Sequence, residues 1–329
     1  MKDVLVSIVN HHHVDLLPTC LDSVLRSAKD LALHVVVLDN ASPDGSAEMV
    51  RRRYPTVELI AQTHPDGFSA NNNTIIGPRL ADARYFLLLN DDACLDNGVL
   101  KEMVTFMDAH AEVGVAGPRL TYPDGSPQVS YVGFPDVWTQ VFYLWGLGRL
   151  MPKRLRSRFA AFARPLAGML PRAGRVYLDN WFHVPDRPIS VDWVSGACLM
   201  ARQETIRQIG LLDSASFFMY YEDTDWCRRA KLTGWSVMFL PHVRVRHHQQ
   251  ASFSPVTRRA WAESGIRYFA KHGTRLDVAI LRVNVALKAV ITLLVSSAAW
   301  LIRSKHRDRL RRTIALQWHL IRVTLVVQR

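Results

Sequence analysis

Two kinds of segment alternate along the first half of the chain. Short runs of apolar residues are followed by longer segments in which apolar and polar residues recur with the spacing of a helix. Runs that are apolar throughout predict buried strands at 4–9, 34–40, 57–61, 85–89 and 113–117. Segments with helical spacing separate them, at 16–28, at 46–54, from Ser69 onward and at 97–110. Wholly apolar strands separated by helices predict an α/β fold, with a mostly parallel central sheet covered by helices on both faces.

The regular pattern stops at about residue 123 and resumes near residue 191. The intervening segment, 123–190, is rich in Pro, Gly, Trp and Arg, and we interpret it as an insertion or lid. A strand at 191–201, a short helix at 222–234 and a strand at 235–241 follow. We therefore predict one α/β domain over residues 1–250, carrying this insertion, and a helical region over 251–329.

The cysteines and the N-terminal residues indicate the compartment. The four cysteines are far apart and form no CxxC pair. Their spacing argues against a disulfide framework or zinc ribbon and favours a reducing compartment. The N-terminal apolar run, 4–9, has only six residues, so no signal peptide is predicted there. Together these features predict a cytoplasmic protein.

The formal net charge of +12 is concentrated in two segments. Residues 149–175 carry eight Arg/Lys and no acid, and residues 271–329 carry twelve Arg/Lys and two acids. Both segments also contain apolar runs, which together with basic charge indicates an anionic membrane surface as partner. A nucleic-acid binder would surround its basic element with polar residues, so no nucleic-acid partner is predicted. A solvated basic face is the alternative.

The apolar run in the C-terminal region, 289–302, has fourteen uncharged residues, whereas a transmembrane helix needs about 20. Arg282, Asn284 and Lys288 interrupt the apolar pattern upstream. We therefore expect helices that lie on the cytoplasmic face of the membrane. A hairpin or a true span, and a helix that only packs on the protein, are the alternatives.

Acidic residues follow two of the predicted strands, at the sheet edge where α/β proteins bind ligands. The apolar residues Val35–Leu38 lead into Asp39, and Tyr85–Leu89 leads into Asp91 and Asp92. Adjacent carboxylates repel each other, and a divalent cation such as Mg²⁺ removes the conflict while binding substrate phosphates. Turn and helix-capping roles are the alternative for all three acids.

A second acidic cluster, Glu222 and Asp223, directly follows the aromatic run "FFMYY". Aromatic surroundings favour a desolvated general base. A helix start stabilised by the helix dipole is the alternative. His247 and His248 end the last predicted strand, where a histidine would complete the metal site or serve a structural role.

These motifs occur in a recognisable order between residues 3 and 252. The ordered segments are "VSIVN", "VVVLDNASPDGS", "DGFSANNN", "LLLNDDACL", "GPRLTYPDGS", "VDWVSGACLMAR", "GLLDSASFFMYYEDTDWCRRAKLTGW" and "RVRHHQQAS". In this order they resemble inverting family 2 glycosyltransferases of the GT-A fold, in particular the bacterial rhamnosyltransferase-like branch. Each motif is weak alone, and the order makes the resemblance specific.

The resemblance implies a nucleotide-sugar site at the strand ends. Asp39 corresponds to the acid that contacts the base or ribose, and Ser7 and Val9 line the same pocket. Asp66 adds an acid near the nucleotide, where the family commonly has asparagine. The residues that fall where the family forms the floor under the transferred sugar are Trp193, Gly196 and Ala197.

The resemblance also implies the metal site and the catalytic base. Asp92 corresponds to the acid that binds Mg²⁺ or Mn²⁺, with Asp91 in the variable place beside it. His247 corresponds to the histidine that contacts the metal, and His248 is the alternative in a shifted register. Asp223 corresponds to the catalytic base, and Glu222 beside it orients the acceptor.

The predicted function follows from the resemblance. We expect transfer of a sugar, such as rhamnose, from dTDP-rhamnose or a UDP-sugar to a hydroxyl of a lipid-linked or polysaccharide acceptor. Such hexosyltransferases build bacterial surface glycans, for example O-antigen or cell wall. A sugar nucleotidyltransferase is one alternative, although "VNHHHVD" is not its Gly-rich loop. A membrane-associated scaffold without catalytic activity is another.

Overall fold

The structure is a computed structural model. It describes residues 1–28, 30–146, 185–249, 255–302 and 307–326. Most of the predicted insertion at 123–190, including the basic segment 149–175, lies outside the described residues. The expectation of a lid there stays a prediction.

The chain divides into two compact units. The first contains Met1–Phe134, Asp179–Phe218 and Glu222–Gln250. The second contains Pro135–Leu178, Met219–Tyr221 and Ala251–Arg329. Each unit is therefore assembled from separate stretches of sequence, whereas the residue pattern predicted one boundary near residue 250.

Within the described residues, the first unit is built on a nine-stranded sheet and a small two-stranded one. The strands are β1 (Lys2–Asn10), β2 (Leu33–Asp39), β3 (Glu58–Ala61), β4 (Ala83–Asn90), β5 (Ala93–Leu95), β6 (Val113–Thr121), β7 (Tyr131–Val132), β8 (Ile189–Ser190), β9 (Trp193–Val194), β10 (Cys198–Arg202) and β11 (Ser236–His247). The order in the large sheet is β3-β2-β1-β4-β10-β6-β11-β5, with β8 paired to β11, and β7 pairs with β9.

The helices are numbered in chain order across both units. They are α1 (Leu17–Ser27), α2 (Ser46–Arg53), α3 (Phe68–Ile76), α4 (Val99–Ala109), α5 (Val137–Trp145), α6 (Gln203–Ile209), α7 (Glu222–Leu232), α8 (Pro255–His272), α9 (Arg275–Ile302) and α10 (Arg307–Val326). Strands and helices alternate through the first half of the chain, as the pattern predicted.

The half of the large sheet formed by β1 to β4 is parallel throughout. Its centre is wholly buried, since Val4, Leu5 and Val6 are inaccessible although they alternate between the two faces. Helix α1 covers one face with Leu17, Leu21 and Val24, whose spacing of four and three residues forms a single apolar stripe.

The other half of the sheet is mixed. Strand β10 lies antiparallel between β4 and β6, whereas β11 is parallel to β6 and antiparallel to β5 and β8. An apolar run predicts a buried strand but carries no information on its direction, so the parallel arrangement expected from the pattern applies to only part of the sheet. The predicted strand at 191–201 is also divided, into β9 and β10, because Ser195–Ala197 leave the extended path.

All four cysteines lie in the described part of the chain, where they are buried and form no disulfide.

In the second unit, α9 is one continuous helix of 28 residues. By length and composition its segment Arg275–Trp300 could cross a membrane, and only 17% of the segment's most apolar window is buried. Two polar side chains upstream of the fourteen-residue apolar run lie within this helix and are bonded to other groups of the unit. Asn284 Oδ1 accepts from Trp145 Nε1 at 3.0 Å, and Lys288 Nζ donates to the carbonyl oxygen of Leu144.

Candidate active site

The polar ends of three parallel strands meet at one edge of the large sheet. In the register of β1 with β2, Asn10 lies opposite Asp39. In the register of β1 with β4, Val9 lies opposite Asn90, directly before the two adjacent acids. Ligands of open α/β sheets bind beyond such strand ends, so this edge is the candidate site.

Asp39 is buried and accepts hydrogen bonds with both oxygens. Asn10 Nδ2 donates to Oδ1 at 2.7 Å, and the backbone N–H of Ser42 donates to Oδ2 at 3.1 Å. The carboxylate therefore closes the turn after β2, as the capping alternative predicts. A nucleotide contact in addition to this role stays a prediction.

Ser7 and Val9 lie on the same face of β1 because strand side chains alternate. The hydroxyl of Ser7 is fully buried and donates to Asn72 Oδ1 on α3 at 2.7 Å. Val9 lies between Leu38 of β2 and Asn90 of β4. Ser7 therefore ties α3 to the sheet, while Val9 lies nearer the strand ends.

Asp66 lies in the loop before α3, which is tied to the end of β2. The Asp66 backbone N–H donates to Asn40 Oδ1 at 2.8 Å, and Asn40 Nδ2 donates to the Asp66 carbonyl at 3.0 Å. The neighbouring Gly67 packs so closely that an added Cβ would lie 2.5 Å from the carbonyl oxygen of Phe218. Glycine is therefore required for this loop to reach the site.

Asp91 holds the histidine-rich segment that follows β1. His13 Nδ1 lies 2.9 Å from Asp91 Oδ1, and the backbone N–H of His11 donates to Oδ2 at 3.0 Å. Burial raises the pKa of Asp91, although its hydrogen bond with His13 acts in the opposite direction. The same hydrogen bond raises the pKa of His13. The segment therefore folds onto the candidate site.

Asp92 lies beside His247. The antiparallel register of β11 with β5 pairs His247 with Ala93, and His247 Nε2 lies 3.1 Å from Asp92 Oδ1. Asn90 Nδ2 also lies 3.1 Å from His247 Nε2. The backbone N–H of His248 donates to the Asp92 carbonyl at 3.1 Å, so the ring beside the Asp92 carboxylate is that of His247.

The two side chains fit a divalent cation that has further ligands from elsewhere. Two ligand atoms at right angles on Mg²⁺ or Mn²⁺ are about 3 Å apart, given metal–oxygen bonds of about 2.1 Å. Among the described residues, no group of three His, Cys, Asp or Glu side chains could hold a metal ion. Mg²⁺ commonly takes one or two protein ligands together with water and substrate phosphates, which matches this pair.

Asp223 lies in the first turn of α7 and is held by three donor groups. The backbone N–H of Gly196 donates to Oδ2 at 2.9 Å, and the N–H and hydroxyl of Thr224 donate to Oδ1. Desolvation of this partly exposed carboxyl group raises its pKa, while the N–H groups act against the increase. The result is an oriented carboxylate with increased basicity.

Glu222 is more deeply buried than its neighbour. Its Oε2 atom has no hydrogen-bond partner among the described residues. Burial, and next the negative charge of Asp223, raise the pKa of Glu222 well above the ordinary 4.5. The two adjacent carboxyl groups therefore differ, because the buried one favours the protonated form.

The two carboxylate clusters lie at the same sheet edge and are connected by a short path. The backbone N–H of Asn90, at the end of β4, donates to the carbonyl of Ala197 at 3.0 Å. Gly196, one residue earlier, donates to Asp223. The loop 195–197 that divides the predicted strand therefore brings Asp223 close to the acids that follow β4.

Comparison with known protein families decides the identity of this arrangement. A family model described as "Glycosyltransferase like family 2" matches residues 2–265, which include both carboxylate clusters. The chain belongs to this family. The roles of the individual acids of this family 2 glycosyltransferase in binding donor, metal and acceptor stay predictions.

Curated relatives of this glycosyltransferase include two rhamnosyltransferases. The chain is 27% identical over 237 residues to the N-acetylglucosaminyl-diphospho-decaprenol L-rhamnosyltransferase of Mycobacterium tuberculosis, covering 69% of this chain and 70% of the relative. It is 23% identical over 280 residues to Rhamnosyltransferase WbbL of Escherichia coli K12, covering 82% and 93% respectively.

Solved glycosyltransferase structures share the fold. One is the mannosyltransferase PcManGT from Pyrobaculum calidifontis in complex with GDP-Man and Mn²⁺, with a TM-score of 0.51 and 16% identity over 98% of this chain and 86% of that one. Another is GalNAc-T7 with UDP, GalNAc and Mn²⁺, with a TM-score of 0.53 and 15% identity over 82% of this chain and 50% of that one. The glycosyltransferase thus has the GT-A fold.

Three residues are expected under the transferred sugar. Trp193 lies in β9, and Gly196 and Ala197 lie in the loop that connects β9 to β10. Trp193 pairs with Val132 across the small sheet, and its Nε1 atom is buried without a hydrogen-bond partner in the described part of the chain. A Cβ on Gly196 would lie 3.3 Å from Asp223 Oδ2, so glycine allows the close approach of this carboxylate. Ala197 is buried and contributes its carbonyl to the contact with Asn90.

Several side chains at the candidate site of the glycosyltransferase were not predicted from the sequence. Asn10 and Asn90 each end a buried strand, and this polar interruption was a signal that could have identified them. His13 had a signal in the unusual histidine triplet, although nothing in the sequence paired it with Asp91. Gln128, which contacts His247, had no local signal because it lies in a polar loop.

Proposed function

We propose that this family 2 glycosyltransferase is an inverting enzyme that transfers rhamnose from dTDP-rhamnose to a hydroxyl of a lipid-linked sugar. The observation that carries the proposal is the position of the Asp92–His247 and Asp223–Gly196 pairs at one sheet edge, connected through Asn90 and Ala197. The rhamnosyltransferase names of two relatives support the choice of sugar and acceptor. Such a reaction contributes to a bacterial surface glycan such as O-antigen or cell wall.

The donor nucleotide binds at the ends of β1 and β2 in this proposal. Asp39 and Asp66 supply carboxylates beside the base and ribose, and Ser7 and Val9 form the strand surface behind them. The bonds between Asn40 and the Asp66 backbone keep the loop before α3 next to the end of β2. Asp91 positions the segment His11–His13 beside the same ligand.

Asp92 and His247 hold Mg²⁺ or Mn²⁺ in this proposal. When bound there, the cation neutralises the negative charge that develops on the leaving diphosphate. The solved neighbours that contain Mn²⁺ with a nucleotide sugar or UDP support the use of a divalent cation.

Asp223 acts as the general base. Its carboxylate takes the proton of the acceptor hydroxyl while that oxygen bonds to the anomeric carbon and the bond from this carbon to the diphosphate breaks. A single displacement of this kind inverts the configuration. Glu222 lies next to Asp223, and a donor group of the acceptor would satisfy its unpaired Oε2 and orient the acceptor. Trp193, Gly196 and Ala197 form the floor under the sugar.

A lipid-linked acceptor implies that the enzyme works at a membrane. Helix α9 has an exposed apolar face that suits contact with lipid. Every exposed residue between 279 and 298 is apolar. The largest of these side chains are Val283, Leu287, Val290, Ile291, Leu294 and Val295. They recur at intervals of three and four residues and form one face, while Leu281, Val285 and Ala289 are buried on another.

This polarity is the reverse of that of a helix in water. Two polar groups of the same helix, Asn284 and Lys288, are bonded to α5 inside the unit. An outward apolar face with inward polar groups fits a lipid environment, and the basic residues of 303–312 fit anionic headgroups. We infer that the enzyme is peripheral on the cytoplasmic face of the inner membrane, with the apolar face of α9 in the lipid.

The function is tested with the purified full-length protein, Mn²⁺ and a short-chain polyprenyl-diphosphate N-acetylglucosamine acceptor. Parallel reactions receive dTDP-rhamnose or one of several UDP-sugars, and Asp223→Asn is the control. We expect a rhamnosylated product from dTDP-rhamnose, with inverted anomeric configuration by NMR, and at most about one percent of that product from the variant. Transfer from a UDP-sugar alone would contradict the rhamnose assignment, and release of nucleoside triphosphate with added pyrophosphate would indicate a nucleotidyltransferase. Absence of both transfer and donor hydrolysis would leave a scaffold as the better explanation.

A further inference from the structure

Gln128 lies in a hairpin loop after β6 that the proposed function leaves without a role. Its backbone N–H donates to the carbonyl of Leu120 at 3.0 Å, and the N–H of Leu120 donates to Ser130 Oγ at 2.8 Å. The tip of the hairpin is closed by the N–H of Tyr122, which donates to the carbonyl of Ser126 at 2.8 Å. Gln128 is therefore held at a defined position.

The side-chain amide of Gln128 contacts His247 at two points. Its Oε1 atom lies 2.9 Å from His247 Nδ1, and its Nε2 atom donates to the backbone carbonyl of His247. The two contacts fix both the ring and the backbone of the same residue at the end of β11.

This double contact determines which ring nitrogen of His247 carries the proton. A backbone carbonyl oxygen has no hydrogen, so the amide end of Gln128 that faces it must be the NH₂ group. The other end is then the amide oxygen, which can only accept, so His247 Nδ1 must carry the hydrogen. In the neutral imidazole the lone pair is therefore on Nε2.

Two polar side chains lie close to His247 Nε2. Asp92 Oδ1 lies 3.1 Å from His247 Nε2, and both atoms are acceptors in this tautomer. Asn90 Nδ2 lies at the same distance from Nε2 and is able to donate to it. Two acceptor atoms this close repel each other. A cation bound to both Asp92 Oδ1 and His247 Nε2 would replace this repulsion with attraction.

We propose that Gln128 is a positioning residue that keeps His247 in the Nδ1–H tautomer, so that Nε2 and Asp92 share a divalent cation. The inference rests on the proposed metal role of Asp92 and His247. Gln128 acts through His247, which its amide contacts at two points. Hydrogen bonds to the second nitrogen of a metal-binding histidine orient its ring and increase its basicity.

The first test measures the tautomer without metal or catalysis. Long-range ¹H–¹⁵N NMR spectra of histidine-labelled protein in EDTA at pH 8 distinguish the two neutral forms, and a His247→Gln variant assigns the signal. We expect Nδ1–H in the wild type. In Gln128→Leu we expect the proton on Nε2, because Asp92 Oδ1 becomes the nearest acceptor. An Nε2–H or doubly protonated ring in the wild type overturns the inference, whatever the enzyme transfers.

The second test measures Mn²⁺ affinity by calorimetry with Mn²⁺ alone and with Mn²⁺ plus inorganic pyrophosphate. Loss of such supporting contacts costs roughly 10–100-fold in metal affinity, so Gln128→Leu should show a decrease of this size. The control is Ser126→Ala, in the same hairpin, where the hydroxyl bonds only to Asp124 among the contacts described. Its affinity should equal that of the wild type.

The outcomes separate the inference from the proposed function. Equal Mn²⁺ affinity in Gln128→Leu and wild type overturns the role of Gln128 and leaves the metal site of the transferase standing. An equal decrease in Ser126→Ala also overturns it, because the hairpin as a whole would then be responsible. Absence of Mn²⁺ binding to the wild type overturns both this inference and the proposed metal site.

Discussion

The backbone N–H of Gly196 donates a hydrogen bond to Asp223 Oδ2 at 2.9 Å. Gly196 lies in the loop that interrupts the strand pattern between β9 and β10, and Asp223 lies in the first turn of α7. The contact orients one carboxylate of the sheet edge, and Thr224 holds its other oxygen. This fixed orientation is the structural basis for treating Asp223 as the base.

Asp223→Asn should fold and bind donor, but lose transfer. The amide keeps the size of the side chain and cannot accept a proton, and general-base catalysis contributes about 10²–10⁴-fold. We therefore expect a turnover at most about one percent of the wild type in a radiolabelled transfer assay. Donor affinity, measured by calorimetry, should be unchanged. Near-normal turnover would remove Asp223 from this role.

The acid side of the pH–rate profile should reflect the raised pKa of Asp223. Desolvation raises this pKa above the ordinary 3.8, and the base must be ionised to act, so kcat/KM should fall as pH decreases through a value higher than for a solvated aspartate. Glu222 has the higher pKa and stays protonated over this range. Glu222→Gln should therefore leave the midpoint unchanged, and a large shift of the midpoint would contradict this assignment.

Glu222→Gln should stabilise the folded protein increasingly as the pH rises. The pKa of Glu222 is higher in the folded than in the unfolded state, so the folded state binds more protons and loses stability as pH rises above 4.5. The amide mimics the protonated form. Because the amide cannot ionise, the free energy of unfolding of the variant should exceed that of the wild type by an amount that increases from pH 5 to pH 9.

The measurement for this prediction is thermal or urea unfolding of both proteins at pH 5 and pH 9. The difference between them should be smaller at pH 5 than at pH 9, because pH 5 lies only just above the ordinary glutamate pKa at which the effect begins. If the stabilities of the two proteins differ by the same amount at pH 5 and pH 9, Glu222 does not titrate differently in the folded and unfolded states.

EDTA should abolish transfer, and added Mg²⁺ or Mn²⁺ should restore it. Asp92→Asn should bind Mn²⁺ much more weakly, since the amide carries no charge for the cation. Asp91→Asn is the matched variant, because Asp91 is engaged by His11 and His13 rather than by His247. It should keep its Mn²⁺ affinity in the same calorimetric assay. Full activity without metal would contradict the assignment of Asp92.

Leu294→Glu should weaken binding to phosphatidylglycerol vesicles in a flotation assay. Leu294 is 64% exposed on the apolar face of α9, and a charge there opposes insertion into lipid. The matched control is Leu232→Glu on α7, where the leucine is 72% exposed on the first unit. The control should float with vesicles like the wild type. Equal flotation of all three proteins would show that another segment binds the membrane, and a shift only in oligomeric state would indicate a second copy of the chain as the partner of this face.

Much of the secondary structure was predictable, because it depends on residues that are close together in the sequence. The apolar runs identified β1 to β4, and helical spacing identified α1, α2 and α4 with end points displaced by one or two residues. The adjacent acids after β4 and at the start of α7 were also visible, and their order among the other motifs indicated the family. For α9 the pattern was less informative, because Asn284 and Lys288 interrupt its apolar composition, and their partners Trp145 and Leu144 lie far away in the sequence.

By itself the sequence determined the class of fold, the family and the chemical types at the strand ends, since periodicity and motif order are local properties. The tertiary structure alone decided the direction of β10, the break at 195–197 and the pairing of His247 with Asp92 and Gln128. These features depend on strand register and on packing between segments far apart in the chain. No local pattern encodes such a register, because it is chosen by the total free energy of the folded sheet.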